Sequence, residues 1–115
     1  MKSIVHLAAA FLFAAIAEAR DYVTFDVQDL PEDCQSALET SNALINDFYD
    51  YFAVVQDQWE SVTPSRKQGL YRSLERRAST LETALAHVNS SCYQSPNALI
   101  WVNRQLDTID YVLQR

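Results

Sequence analysis

Apolar residues recur along this chain with the period of a helix, in three separate stretches. Leu38, Ile45, Phe52 and Trp59 stand seven apart, interleaved with Cys34, Phe48, Val55 and Val62, and Ser41 alone interrupts the second set. The second stretch carries Leu74, Leu81 and Val88 alongside Tyr71, Ala78, Leu85 and Cys92. The third carries Leu99, Leu106 and Leu113 with Val102 and Ile109. Alternating steps of three and four keep one side of a 3.6-residue helix apolar, and sustained over several turns they make the a/d seam of a coiled coil. Prolines punctuate the stretches: Asp29-Leu30-Pro31, Thr63-Pro64 and Ser95-Pro96 each set a capping-type residue at or near a proline suited to a first helical turn. The spacing predicts helices at about 31–62, 64–89 and 96–114. The connections near 61–63 and 90–94 are short, so consecutive helices are expected to run antiparallel. The fold class is therefore all-α, a three-helix bundle spanning residues 31–115.

The chain ahead of the first helix follows two other patterns. Between Asp21 and Leu30, Val23, Phe25 and Val27 alternate with polar residues, the signature of an extended segment with one apolar face. Residues 20–30 are thus expected to form an arm that lies on the bundle or stays mobile. Residues 1–19 read as an export signal: Lys2, an apolar run over Ile4–Ala17, then Ala17-Glu18-Ala19 as the small-x-small cleavage pattern before Arg20. The run is shorter than the ~20 residues a spanning helix needs, so a cleaved leader is expected rather than an anchor.

Export changes how the two cysteines are read. An even pair in an oxidising compartment predicts one disulfide, Cys34 to Cys92. The pairing agrees with the helical pattern, because the start of the first helix and the end of the second meet at one end of an antiparallel hairpin. The chain carries a net charge of −6, with 15 acidic against 9 basic residues, which disfavours nucleic acid and anionic membrane surfaces as partners.

Charge is unevenly placed. Glu32, Asp33, Glu39, Asp47, Asp50, Asp57 and Glu60 all fall on the outward positions of the first helix, an acidic face whose simplest role is solvation and whose functional role would be docking a basic partner. The second helix carries Arg66, Lys67, Arg72, Arg76 and Arg77. On the third, Ile100 and Trp101 fall on outward positions, with Tyr111 on the same side and Arg104 between; outward aromatics beside an arginine are the residue types of binding hot spots. The arm's Val23, Phe25 and Val27 offer the alternative of a cover for Ile100 and Trp101. Asn89-Ser90-Ser91 is an N-glycosylation sequon, with Asn89 the acceptor.

Catalysis is not expected. Once the leader is removed His87 is the one histidine, no thiol is left over, and the carboxylate pairs sit on exposed faces where their acidity stays ordinary. No metal site and no cofactor are expected. The composition and pattern point to a small secreted protein, extracellular or, in a bacterium, periplasmic, that binds another protein through an outer helix face. A carrier of a small apolar ligand in the bundle core, or a structural component of a secreted assembly, is the alternative.

Overall fold

A computed structural model describes residues 20–115; the leader expected over residues 1–19 lies outside them. Among the described residues there are three α-helices and no strand: α1 (Glu32–Gln58), α2 (Pro64–Ser91) and α3 (Pro96–Leu113), with a 3-10 turn at Trp59–Ser61. No helix among them is long and apolar enough to cross a membrane.

The helix ends follow from local chemistry. Thr63 Oγ1 accepts from the Arg66 amide at 3.2 Å, and Ser95 Oγ accepts from the Ala98 amide at 3.2 Å, so α2 and α3 each carry a side-chain cap followed by proline at the first position. The first helix departs from the expectation: Pro31 itself occupies the N-cap and makes no side-chain cap. Asp29 does not cap it. Gln35 instead reaches back, donating to the Leu30 carbonyl at 2.9 Å, which ties the arm to the first turn. At the other end α1 stops at Gln58 rather than near Val62. Pro64 disfavours helical backbone in the residue before it, and Val62 and Thr63 are accordingly extended. α3 ends in a Schellman turn, with Gln114 at φ 60°, its amide bonded to Tyr111 O and the Arg115 amide to Asp110 O.

Two of the three apolar seams are where the spacing puts them. On α1, Cys34, Leu38, Ser41, Ile45, Phe48, Phe52 and Val55 are buried, with Trp59 just beyond. On α2, Tyr71, Leu74, Ala78, Leu81, Leu85, Val88 and the capping Cys92 are buried. Phe48 and Tyr49 meet edge to face, ring centroids 5.0 Å apart. Ser41, the gap in the first seam, is fully buried and its hydroxyl has no hydrogen-bond partner.

The third seam is rotated. Leu99 and Leu106 are only half-buried, while Ala98, Trp101, Val102, Gln105, Ile109, Val112 and Leu113 form the covered arc. The physical reason is the arm. Residues 20–27 form neither helix nor strand, with a bend at Phe25, and burial alternates along them as the spacing predicts, with Asp21, Val23, Phe25 and Val27 half-buried and Tyr22, Thr24 and Asp26 exposed. The backbones of α1 and α2, and of α2 and α3, approach closely, whereas those of α1 and α3 do so far less. The arm occupies the gap. On one side Val23 N donates to Asn42 Oδ1 at 3.2 Å and the Tyr22 hydroxyl to Asn46. On the other the Asp21 carbonyl receives the indole N–H of Trp101 at 2.6 Å and the Gln105 amide at 3.1 Å. α3 therefore buries the flank that faces the arm as well as the flank that faces α2.

Cys34 and Cys92 are bonded, both buried, with Cα atoms 4.9 Å apart. At the far end of the molecule the Tyr71 hydroxyl donates to the Leu113 carbonyl at 2.8 Å, and Arg115 pairs with Glu82 and Asp110. The last turn of α3 is thus fixed onto α2.

Candidate functional site

The four residues singled out on α3 separate into two groups. Trp101 is fully buried, so its outward assignment is corrected: the indole lies beneath the arm and is anchored to Asp21. Heptad spacing alone puts Trp101 outward; the alternative drawn from the arm's alternation, a cover over this turn, holds for Trp101 and not for Ile100. Ile100 is 55 % exposed and Tyr111 52 % exposed, and Arg104 also faces solvent. Positions 100, 104, 107 and 111 recur at helical spacing, so Ile100, Arg104, Asp107 and Tyr111 make one stripe on the outer side. Arg104 Nε donates to Asp21 Oδ2 at 2.6 Å, and this hydrogen bond raises the guanidinium's pKa further. The arm and the stripe therefore share Asp21: its carbonyl fixes the inner face of α3, its carboxylate the outer.

Two residues of this arrangement escaped the pattern. Gln105 is 2 % exposed, a polar group in a buried arc, tolerated because the Asp21 carbonyl satisfies it. Asp21 carried a readable signal, since it stands in phase with Val23, Phe25 and Val27 and so on the inward side of the arm.

All seven residues of the acidic face are exposed, six on α1 and Glu60 in the 3-10 turn that follows it. Two of its members meet cations: Asp50 pairs with Arg20 at 2.8 Å, and Asp47 with Arg77 at 2.9 Å. Arg20 also donates to Asn46 at 3.2 Å and sits 5.8 Å from the centroid of the Tyr49 ring. Burial, and secondarily the negative charge of Asp21, pushes the Tyr49 hydroxyl up to about 12, with Arg20 opposing.

That shift has a measurable consequence. A phenol whose folded pKa exceeds its unfolded value contributes stability in full below about pH 10, and loses it as pH rises toward 12. Two pH units correspond to at most about 3 kcal/mol. Tyr71 shifts in the same direction, by burial first and then by Glu75. Denaturant midpoints should therefore fall between pH 9 and pH 11.5, and Tyr49→Phe should flatten the decline. An equal decline in both proteins would show that Tyr49 is not its source.

On α2, Lys67 lies 5.3 Å from the Trp59 ring centroid and Arg77 4.3 Å from that of Tyr51. Open hollows mark the α1–α2 side. One of about 290 Å³ is lined by Asp47, Ser73, Arg76, Arg77 and Thr80. A second, about 230 Å³, shares Asp47 and Arg77 and adds Asp50, Tyr51 and Val54. A third, about 120 Å³, lies nearer the disulfide among Ser36, Ala37, Thr40, Ala84 and His87.

Asn89 is exposed, but in the last turn of α2 rather than in a loop, and Ser90 Oγ donates to the His87 carbonyl at 3.1 Å. His87 Nε2 stands 3.4 Å from Ser91 Oγ. Among the described residues no group of three or more histidine, cysteine or acidic side chains is placed to hold a metal ion. No family model, no curated protein and no solved structure matches this chain.

Proposed function

We propose that this chain is an exported, non-enzymatic interaction protein that binds another protein through the outer stripe of α3. The observation that carries this reading is the pair of large side chains, Ile100 and Tyr111, left more than half exposed on either side of Arg104 on a helix capped at its start by Ser95 and tied at its end to Tyr71. An apolar residue, an aromatic and an arginine presented rigidly lose little conformational freedom on docking, which is the circumstance in which a few side chains dominate an affinity.

The rest of the reading is consistent with that role. Export would follow cleavage before Arg20, after which the extracellular or periplasmic compartment would permit the disulfide. The three helices would run antiparallel. In support, the Cys34–Cys92 bond, the Asp47–Arg77 pair and the Lys67–Trp59 contact fall in opposite order along α1 and α2. Asn89 would take a glycan while the sequon is still unfolded, before helix formation restrains it. A carrier role is less well supported, because Trp101, Tyr49, Phe48 and Phe52 fill the interior.

The test is affinity capture from the native extracellular fluid with wild type and with the Ile100→Asp/Tyr111→Ser double variant. Both positions are on the surface, so the variant should keep the wild-type unfolding midpoint to within about 0.5 kcal/mol. If the stripe is the docking face, a partner held by wild type should bind the variant roughly thirtyfold more weakly, the loss expected of hot-spot truncation. Undiminished binding by a folded variant would exclude the stripe and direct attention to the acidic face of α1.

A further inference from the structure

On the premise that the α3 stripe is a docking face, we infer that its partner is a second copy of this chain, packed antiparallel along Ile100, Arg104, Asp107 and Tyr111. These four stand at steps of four, three and four, the spacing of a seam between two helices. At about 100° per residue they lie roughly opposite the covered arc of Ala98, Trp101, Val102, Gln105 and Ile109, and so face away from α2 and the core.

The order of their chemistry selects the occupant. From either end the stripe runs apolar, charged, charged, apolar, and the midpoint between Arg104 and Asp107 is also the midpoint between Ile100 and Tyr111. A two-fold axis through that midpoint, perpendicular to α3, sets Arg104 of each copy against the partner's Asp107, and Ile100 against the partner's Tyr111. One patch is then its own complement, which is the condition for an isologous contact. One step further out, Asn97 meets the partner's Gln114, and two amides can bond each other. A parallel pair would instead set arginine on arginine and aspartate on aspartate, and such like-charge contacts exclude it.

Both charges are placed to take part. Arg104 uses Nε for Asp21, which leaves its two Nη groups to meet a carboxylate. Asp107 is exposed and forms no ion pair among the described residues. Asp110, the next acid along the helix, is already engaged by Arg115. Charged pairs in a seam cost desolvation but fix its register and direction, so the attraction comes from the ends, where Ile100 and Tyr111 are more than half exposed. Four residues per copy make a patch well below the roughly 800 Å² per partner of a stable complex. Each copy also carries a net charge of −6, a repulsion that about 0.15 M salt screens beyond short range. The dimer should therefore be weak, with a dissociation constant on the order of 100 µM.

The experiment is sedimentation equilibrium of the oxidised protein, residues 20–115, from about 10 µM to about 1 mM in that salt. Wild type should dimerise. Asp107→Arg alone faces arginine with arginine twice, and Arg104→Glu alone faces acid with acid twice, so each should weaken self-association at least about tenfold. An equimolar mixture of the two variants restores both opposite-charge pairs and should form a heterodimer with roughly wild-type affinity. Misfolding cannot mimic that recovery, and circular dichroism of each variant should match wild type because both positions are exposed. Wild type that stays monomeric over the whole range would overturn the second copy, as would a dimer indifferent to either variant or a mixture that does not recover. A monomer whose captured partner is lost on Ile100→Asp/Tyr111→Ser would overturn the second copy alone and leave the stripe as a docking face. A dimer insensitive to every stripe variant would overturn both.

Discussion

Cys34→Ala/Cys92→Ala should cost this protein about 4 kcal/mol, a large part of the roughly 5–15 kcal/mol that stabilises a typical domain. The bond joins residues 58 apart in sequence, so its removal frees a long loop in the unfolded ensemble. Both sulfurs lie at buried positions, and a single Cys34→Ser change would add an unpartnered hydroxyl and a stranded thiol to the loss. The double alanine variant isolates the cross-link. For a domain of this size the melting temperature should fall by roughly 20 °C. Wild type in reductant should follow the double variant, and equal melting under oxidising and reducing conditions would show that the bond does not stabilise the fold. The location of the staple explains why the effect should be global. It fixes the first turn of α1 to the cap of α2, while the opposite end of the molecule depends on Tyr71, Glu82 and the last turn of α3.

The helices, the caps of α2 and α3 and the disulfide were legible because each is a local or pairwise property. Seven-residue spacing marks a helix face whatever surrounds it, proline after serine or threonine marks a start, and two cysteines allow one pairing. The inward side of α3 was not legible in the same way. Leu99 and Leu106 satisfy the heptad better than Trp101 and Gln105 do, and only the position of the arm decides which set is covered. A tryptophan also has a polar edge, so it suits a buried place only where an acceptor meets its N–H. That acceptor is the carbonyl of a residue 80 positions earlier, and no spacing rule reports it. The exposed stripe was legible in part: Ile100, Arg104 and Tyr111 lie outside the covered arc in either register, whereas Trp101 sits at the boundary where a shift of one position reverses its environment.

Trp101→Ala is therefore expected to be a folding mutation, with a loss of about 3–5 kcal/mol typical of truncating a buried aromatic. Part of that comes from the space left beneath the arm, and part from the indole N–H, which at 2.6 Å is one of two donors holding the Asp21 carbonyl. Gln105 alone would then anchor the first residues of the arm to the inner face of α3. The arm should loosen as a unit, because Val23, Phe25 and Val27 pack beyond the same anchor. Amide exchange should accelerate at Val23, whose N–H bonds Asn42, as well as along α3. Ile100→Ala, one residue away but solvent-facing, should change stability by no more than about 0.5 kcal/mol. The contrast between adjacent positions is the decisive measurement. If both variants melted like wild type, the arm would not be docked over Trp101, and the covered arc of α3 would have to be redrawn around Leu99 and Leu106.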